Sequence, residues 1–383
     1  MKPRCFRYGL SGWVAAALLA GCGASQPQPP IGASGVAPPS QNAGRAGTTA
    51  RYVYVTNGHS ADVSAFAINP SNGALTQVEG SPFATGRRPV GLAIAPNGAF
   101  MYVADAGSES VSAYAINAGN GALTQVAGSP FAAGSYAWQV AIDPTGAFLY
   151  VVNETSSNIS AYAVNASSGA LTQVQGSPFA TGSYPAGVAI DPTGSFAYVT
   201  SEEDNDISAY AINAGTGALT QVQGSPFATG STPRKVAIDG AFVYVANYNS
   251  NNVSAYAINA KSGALTQVPG SPFATGTHPV AVAIDPTGAF VYVTNYSSDT
   301  VSAYAIDTAS GALTPVQGSP FATGHYPTAA AIDPTSGFAY VADLGRGKGK
   351  VSAFAINASS GALTKVPGSP YSAGNNPFGV AVR

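Results

Sequence analysis

Charge is scarce in this chain. Only 8% of its 383 residues are Asp, Glu, Lys or Arg, the residues that normally coat a surface helix, so little helix is expected. A net charge of −2 supplies no basic field, which argues against nucleic acid as a partner. Two cysteines are too few for a disulfide framework. No Cys/His cluster suggests zinc, "EEDND" (Glu202 to Asp206) lacks the spacing of a calcium loop, and no glycine-rich loop leads from a strand into a helix to cradle phosphate. No metal or cofactor is therefore expected. What is abundant is glycine (45), proline (28) and hydrophobic residues (45%). β-Branched and aromatic runs punctuated by Gly and Pro predict an all-β protein.

The first residues stand apart. "MKPRCFR" carries Lys2, Arg4 and Arg7 ahead of the apolar run "YGLSGWVAAALLA", which reads as a secretory signal too short to span a bilayer stably. "LAGC" (Leu19 to Cys22) resembles the lipobox of bacterial lipoproteins. That resemblance implies a signal peptide over residues 1–21, acylation of Cys22 and a membrane partner through the lipid. Gly23, where an Asp would favour inner-membrane retention, implies an outer-membrane lipoprotein of the cell envelope. Cys5 would leave with the signal, so no internal disulfide is expected. Residues 22–50, rich in Pro, Gly, Ser and Ala with no periodicity, are expected to be a disordered tether with a reach on the order of 30 Å.

Residues 51–383 are dominated by an internal repeat. "VSAYAIN" or a close variant begins at Val63, Val111, Ile159, Ile207, Val253, Val301 and Val351, in steps of 48, 48, 48, 46, 48 and 50. Seven copies at this period predict a seven-bladed β-propeller with four antiparallel strands per blade. One unit reads as strand A "QVAIDP" (Gln139 to Pro144), strand B "AFLYVVN" (Ala147 to Asn153), strand C "ISAYAVN" (Ile159 to Asn165) and strand D "ALTQVQGSPF" (Ala170 to Phe179). Length changes fall in turns and leave the register of every strand intact. The chain enters this region on a strand B, "YVYVTN", and ends on a strand A, "FGVAVR". The last strand is therefore expected to complete the first blade and close the ring, leaving no open sheet edge. A monomer is expected.

"LYVVN", "VYVTN" and "VYVAN", followed by "VSAYAI" and "SGALT", resemble the seven-bladed propeller lactonase family. This is the YVTN-repeat group that includes 6-phosphogluconolactonase-like proteins and fungal cycloisomerases. The resemblance implies the propeller fold and polar active-site residues on the loop-bearing face. Its motifs are structural strands and turns, so they transfer no catalytic residue.

Strand order places the A–B and C–D turns on one face and the B–C and D–A loops on the other. The first face is monotonous, and Asp143, Asp191, Asp285 and Asp333 in its "DPTG" and "DPTS" turns read as turn-forming residues. On the second face the copies differ. One sector there brings in sequence Glu202 and Glu203, Arg234 and Lys235, His278, and His325. A carboxylate or imidazole base beside cations suits lactone hydrolysis, with Glu202, Glu203, Arg234, His278 and His325 as candidate catalytic residues. Arg88, Tyr136, Trp138, Tyr184 and Lys235 are candidate ligand-binding residues, the aromatic ones offering a surface for a sugar or peptide. Three readings follow. The first is a lipid-anchored module binding a small molecule or protein on this loop face. The second is a lactonase acting on a sugar lactone such as 6-phosphogluconolactone, and the third is a structural envelope protein. The sequence leaves open whether the protein is an enzyme.

Overall fold

Strand B is apolar on both faces, and in nearly every copy each of its residues is buried, as in Phe148–Asn153. A strand shielded on both sides must lie inside a stack of sheets. The computed structural model describes residues 51–383. The expected signal segment, Cys22 and the tether lie outside the described residues. Residues 51–383 form seven antiparallel sheets, and no helix occurs among the described residues. In the third blade Ala137–Ile142 pairs with Phe148–Asn153, which pairs with Asn158–Val164. Inner strands of successive blades touch one another around the whole ring and enclose an axial channel. Seven separate hydrophobic clusters fill the seven interfaces between blades.

The outer strand departs from expectation. The stretch from Ala170 to Phe179 is split into Leu171–Gln173 and Phe179–Ala180, both paired with Asn158–Val164. Gly176 has a left-handed backbone (φ 88°), and Pro178 has no N–H for the ladder. The gap is filled by a side chain, since the Ala161 N–H donates to Ser177 Oγ at 2.9 Å. The same bond recurs in all seven blades. The "GSP" motif thus interrupts a strand without leaving a buried donor unpaired.

Blades are joined by a second repeated bond. The strand-B tyrosine donates its hydroxyl to a glycine carbonyl in the next blade, from Tyr54 to Gly121 (2.9 Å) around to Tyr340 and Gly73 (3.0 Å). Each such bond contributes on the order of 1 kcal/mol, and the seven together lock neighbouring blades in register. Pro377–Val382 pairs with Tyr52–Asn57, so the last strand completes the first blade. On the monotonous face the "DPTG" aspartates cap their own turns. Asp143 Oδ1 accepts the Phe148 N–H at 2.7 Å and Oδ2 accepts the Thr145 N–H at 3.1 Å.

Strand B ends in Asn in four blades, where the amide bridges two strand-C side chains. Asn57 Nδ2 donates to Asp62 Oδ1 (2.6 Å) and Ser64 Oγ (2.9 Å). In the second blade this position is Asp105, fully buried, with Ser112 Oγ donating to it at 2.6 Å. Asp105 Oδ1 and the facing Ser110 Oγ are buried without partners. Burial pushes the Asp105 carboxyl up from 3.8 to about 6, against the lowering effect of the Ser112 hydrogen bond and of the nearby Thr85 and Gly86 donors. The folded state therefore holds this proton to higher pH than the unfolded chain, and the associated stability is lost as pH rises through about 6. Asp105→Asn removes that loss and gives Ser110 a donor. We expect the variant to gain up to about 3 kcal/mol at pH 8, a rise of several degrees in Tm, and little at pH 4. A lower Tm than the parent at both pH values would overturn this account.

Candidate functional site

Three positions in each blade converge on the channel mouth at the variable face. The first lies in the loop entering the inner strand and has a left-handed backbone in every copy, as at Tyr136 (φ 61°) and His278 (φ 55°). The preceding blade stabilises that turn in several copies. The Thr232, His278 and Tyr326 N–H groups each donate to an Asn or Asp side chain there, at 2.8 Å. The second position is the extra residue of a β-bulge at the start of each inner strand, as between Ala137 and Gln139. A bulge re-aims its side chain, and here it turns Trp138, Arg234 and Phe378 to the mouth. The third is the residue just after strand B, whose N–H bonds the carbonyl of the first position. Glu154, Glu202, Tyr248 and Tyr296 are held this way at 2.9–3.0 Å.

Second-position residues of six blades, together with Lys235, Tyr248 and Tyr296, line a cavity of about 230 Å³. One wall is aromatic. Trp138 stacks on Tyr136 (5.6 Å between centroids) and meets Phe378 edge-on (5.8 Å). The opposite wall is Tyr248 and Tyr296, 6.5 Å apart. Arg234 lies between the walls. Its guanidinium sits 5.2 Å over the Tyr248 ring, and Nη1 pairs with Glu202 Oε1 at 2.5 Å. The two side chains are only 27% and 11% exposed, so the pair is shielded from bulk water. Arg234 Nε is buried without a partner, and the rest of the side chain lines the cavity, where its remaining guanidinium donors can meet a ligand.

Burial pushes Glu202 up to about 7, with Arg234 opposing the shift and Glu154 and Glu203 adding to it. Burial also raises Glu154, again opposed by Arg234 and Arg88. Lys235 is shifted down to about 8 by burial alone. A carboxyl poised near neutrality is thus paired with a cation that lines a small, partly apolar cavity.

The other candidate residues lie at varying distance from this cavity. Arg88 sits 4.9 Å over the Tyr136 ring, on the outer side of the Tyr136–Trp138 stack. His278 stacks on Tyr248 (4.3 Å) and bonds Ser297 Oγ through Nδ1 at 2.7 Å, so it reaches the cavity only through Tyr248. His325 pairs with Asp299 at 2.6 Å on an exposed rim. Glu203 is exposed, one residue past the cavity, and Tyr184 is 41% exposed. Reasoning from sequence did not pick out Glu154, Tyr248 or Tyr296. The available signal was the column of residues following strand B, which reads Gly58, Ala106, Glu154, Glu202, Tyr248, Tyr296 and Leu344.

The family model described as lactonase, 7-bladed beta-propeller, matches residues 44–181, 173–276, 239–326 and 268–382. The chain matches no curated protein. Similar solved structures include a proposed 6-phosphogluconolactonase from Bacteroides fragilis NCTC 9343. It is 20% identical, with a TM-score of 0.76 over 88% of this chain and 98% of that one. A periplasmic gluconolactonase of Pseudomonas aeruginosa is 19% identical, with a TM-score of 0.72 over 87% of this chain and 99% of the other. At these identities the likeness carries the fold, and the chemistry has to be read from the site.

Proposed function

The chain belongs to the lactonase family of seven-bladed β-propellers, and from that footing we propose that it hydrolyses a sugar lactone in the mouth cavity. The observation that carries the reading is the shielded Glu202–Arg234 pair, whose Arg234 lines the same cavity as Trp138. The lactone ring lies with its C–H face on Trp138. Glu202 takes a proton from a water whose oxygen attacks the lactone carbonyl. The Arg234 guanidinium donates to the oxyanion that forms. Collapse breaks the bond to the ring oxygen, which leaves as a hydroxyl after Glu202 returns the proton. The product is the open-chain hydroxy acid.

The test is a pH-stat assay of the purified protein against sugar lactones including gluconolactone and 6-phosphogluconolactone, with the uncatalysed rate subtracted. Turnover is expected, with kcat rising with pH as Glu202 deprotonates and reaching half its maximum near pH 7. A pH-independent rate would remove Glu202 from the role of base. A second reading, ligand capture without turnover, draws on the same ion pair, because Arg234 makes Glu202 a weaker base than burial alone would. No turnover on any lactone would favour it.

A further inference from the structure

The third residue of each inner strand is small in five blades: Gly91, Gly187, Ala281, Ala329 and Gly379. The glycines let adjacent inner strands approach closely. A Cβ on Gly187 would lie 2.6 Å from the Arg234 carbonyl oxygen and 3.1 Å from Lys235 Cα. In the two remaining blades this position is Gln139 and Lys235, and both line a second space of about 130 Å³ in the axial channel. Lys235 also lines the mouth cavity, so it links the two spaces.

Neither polar group is satisfied. Gln139 Oε1 is buried with no donor. Lys235 takes part in none of the ion pairs among the described residues. The rest of the channel lining is Gly, Ala and Val. A partly buried ammonium without a counter-charge and a buried carbonyl without a donor are both costly, and in a ring of near-identical blades they are the two departures at this level. A ligand that relieves both must present an anionic acceptor to Lys235 and a hydroxyl donor to Gln139. A single cation in so small a space matches the single charge of a carboxylate; a phosphate dianion would call for further donors.

We propose that the axial channel is a hydroxy-carboxylate site, and that the substrate is an acidic sugar lactone of the aldaric or uronic type. Its carboxylate points down the channel to Lys235, with a neighbouring hydroxyl donating to Gln139. The placement of the lactone ring above it rests on the function proposed for the mouth cavity; the acid site itself does not. Trp138, the one tryptophan among the described residues, lines the mouth cavity and reports occupancy by fluorescence. The experiment titrates the purified protein with glucarate, with uncharged glucitol and with inorganic phosphate, using calorimetry and Trp138 emission. Glucarate should bind and glucitol should not. Lys235→Met should weaken glucarate at least about ten-fold, and Gln139→Leu should weaken it less, both with Tm at or above that of the parent. Equal glucarate affinity in the parent and Lys235→Met would overturn the proposal, as would tighter Lys235-dependent binding of phosphate. Lys235-dependent glucarate binding without any lactone turnover would reject the hydrolase and keep this site. Turnover of neutral lactones with no such binding would do the reverse.

Discussion

A chain lacking residues 377–383 is expected to yield no stable monomer. Those residues form the inner strand of the first blade, paired along Tyr52–Asn57 although the two segments are more than 300 residues apart. Removing them opens the ring at its narrowest point. Val380 and Val382 leave the cluster between the last and first blades, where they pack with Val53, Val55 and Ala342. Gly379 N–H no longer meets Thr56 Oγ1, and the channel-side backbone groups of Tyr52–Asn57 lose their ladder partners. Each buried apolar side chain is worth about 2 kcal/mol and each stranded backbone group about 1 kcal/mol or more. The sum is on the order of 10 kcal/mol, comparable to the whole stability of a typical domain. The exposed edge would also pair with other chains. Size-exclusion chromatography should show aggregate in place of monomer; a monomer that melts at the parent temperature would overturn the closure argument.

That closure was legible in the sequence because it depends on counting. Seven copies of one segment at a near-constant step, entered on strand B and left on strand A, admit few other arrangements. The break in the outer strand was not legible. "ALTQVQGSPF" alternates well enough to pass as one strand, and only the three-dimensional path shows Ser177 Oγ standing in for the ladder. At the mouth, Glu202, Arg234 and Trp138 stood out because they break a repeat that otherwise changes little. Orientation was the missing information. Glu202 and Glu203 are adjacent, yet Glu202, tied through its N–H to the Tyr184 carbonyl, pairs with Arg234 while Glu203, further into the turn, faces solvent. His325 looked equivalent to His278, but Asp299 from the preceding blade ties it to the rim. Tyr248 and Tyr296 occupy the same position in the repeat as Glu202, but nothing in their residue type marks them as cavity-lining.

Replacing either member of the Glu202–Arg234 pair is expected to reduce lactone kcat/KM by at least about a hundred-fold, by different routes. Glu202→Gln keeps the size and polarity of the side chain but cannot take a proton, and loss of a general base costs roughly 10²–10⁴ in rate. Arg234→Met keeps a long side chain against Tyr248 and removes the N–H donor for the oxyanion, a loss of roughly 10²–10³. The second change also acts on the first residue. Arg234 is the group that lowers Glu202 against the effect of burial, so without it the carboxyl should titrate above its present value of about 7 and the pH–rate curve should move to the alkaline side. Arg234→Lys restores a charge without the guanidinium's planar donors, so the curve should return toward neutrality while much of the rate loss persists. Because base and donor serve one transition state, the double variant should be scarcely slower than either single one. A purely architectural ion pair would behave otherwise. Its loss would lower Tm through an uncompensated buried charge and leave kcat and its pH midpoint where they were, and that pattern would remove both residues from the chemistry.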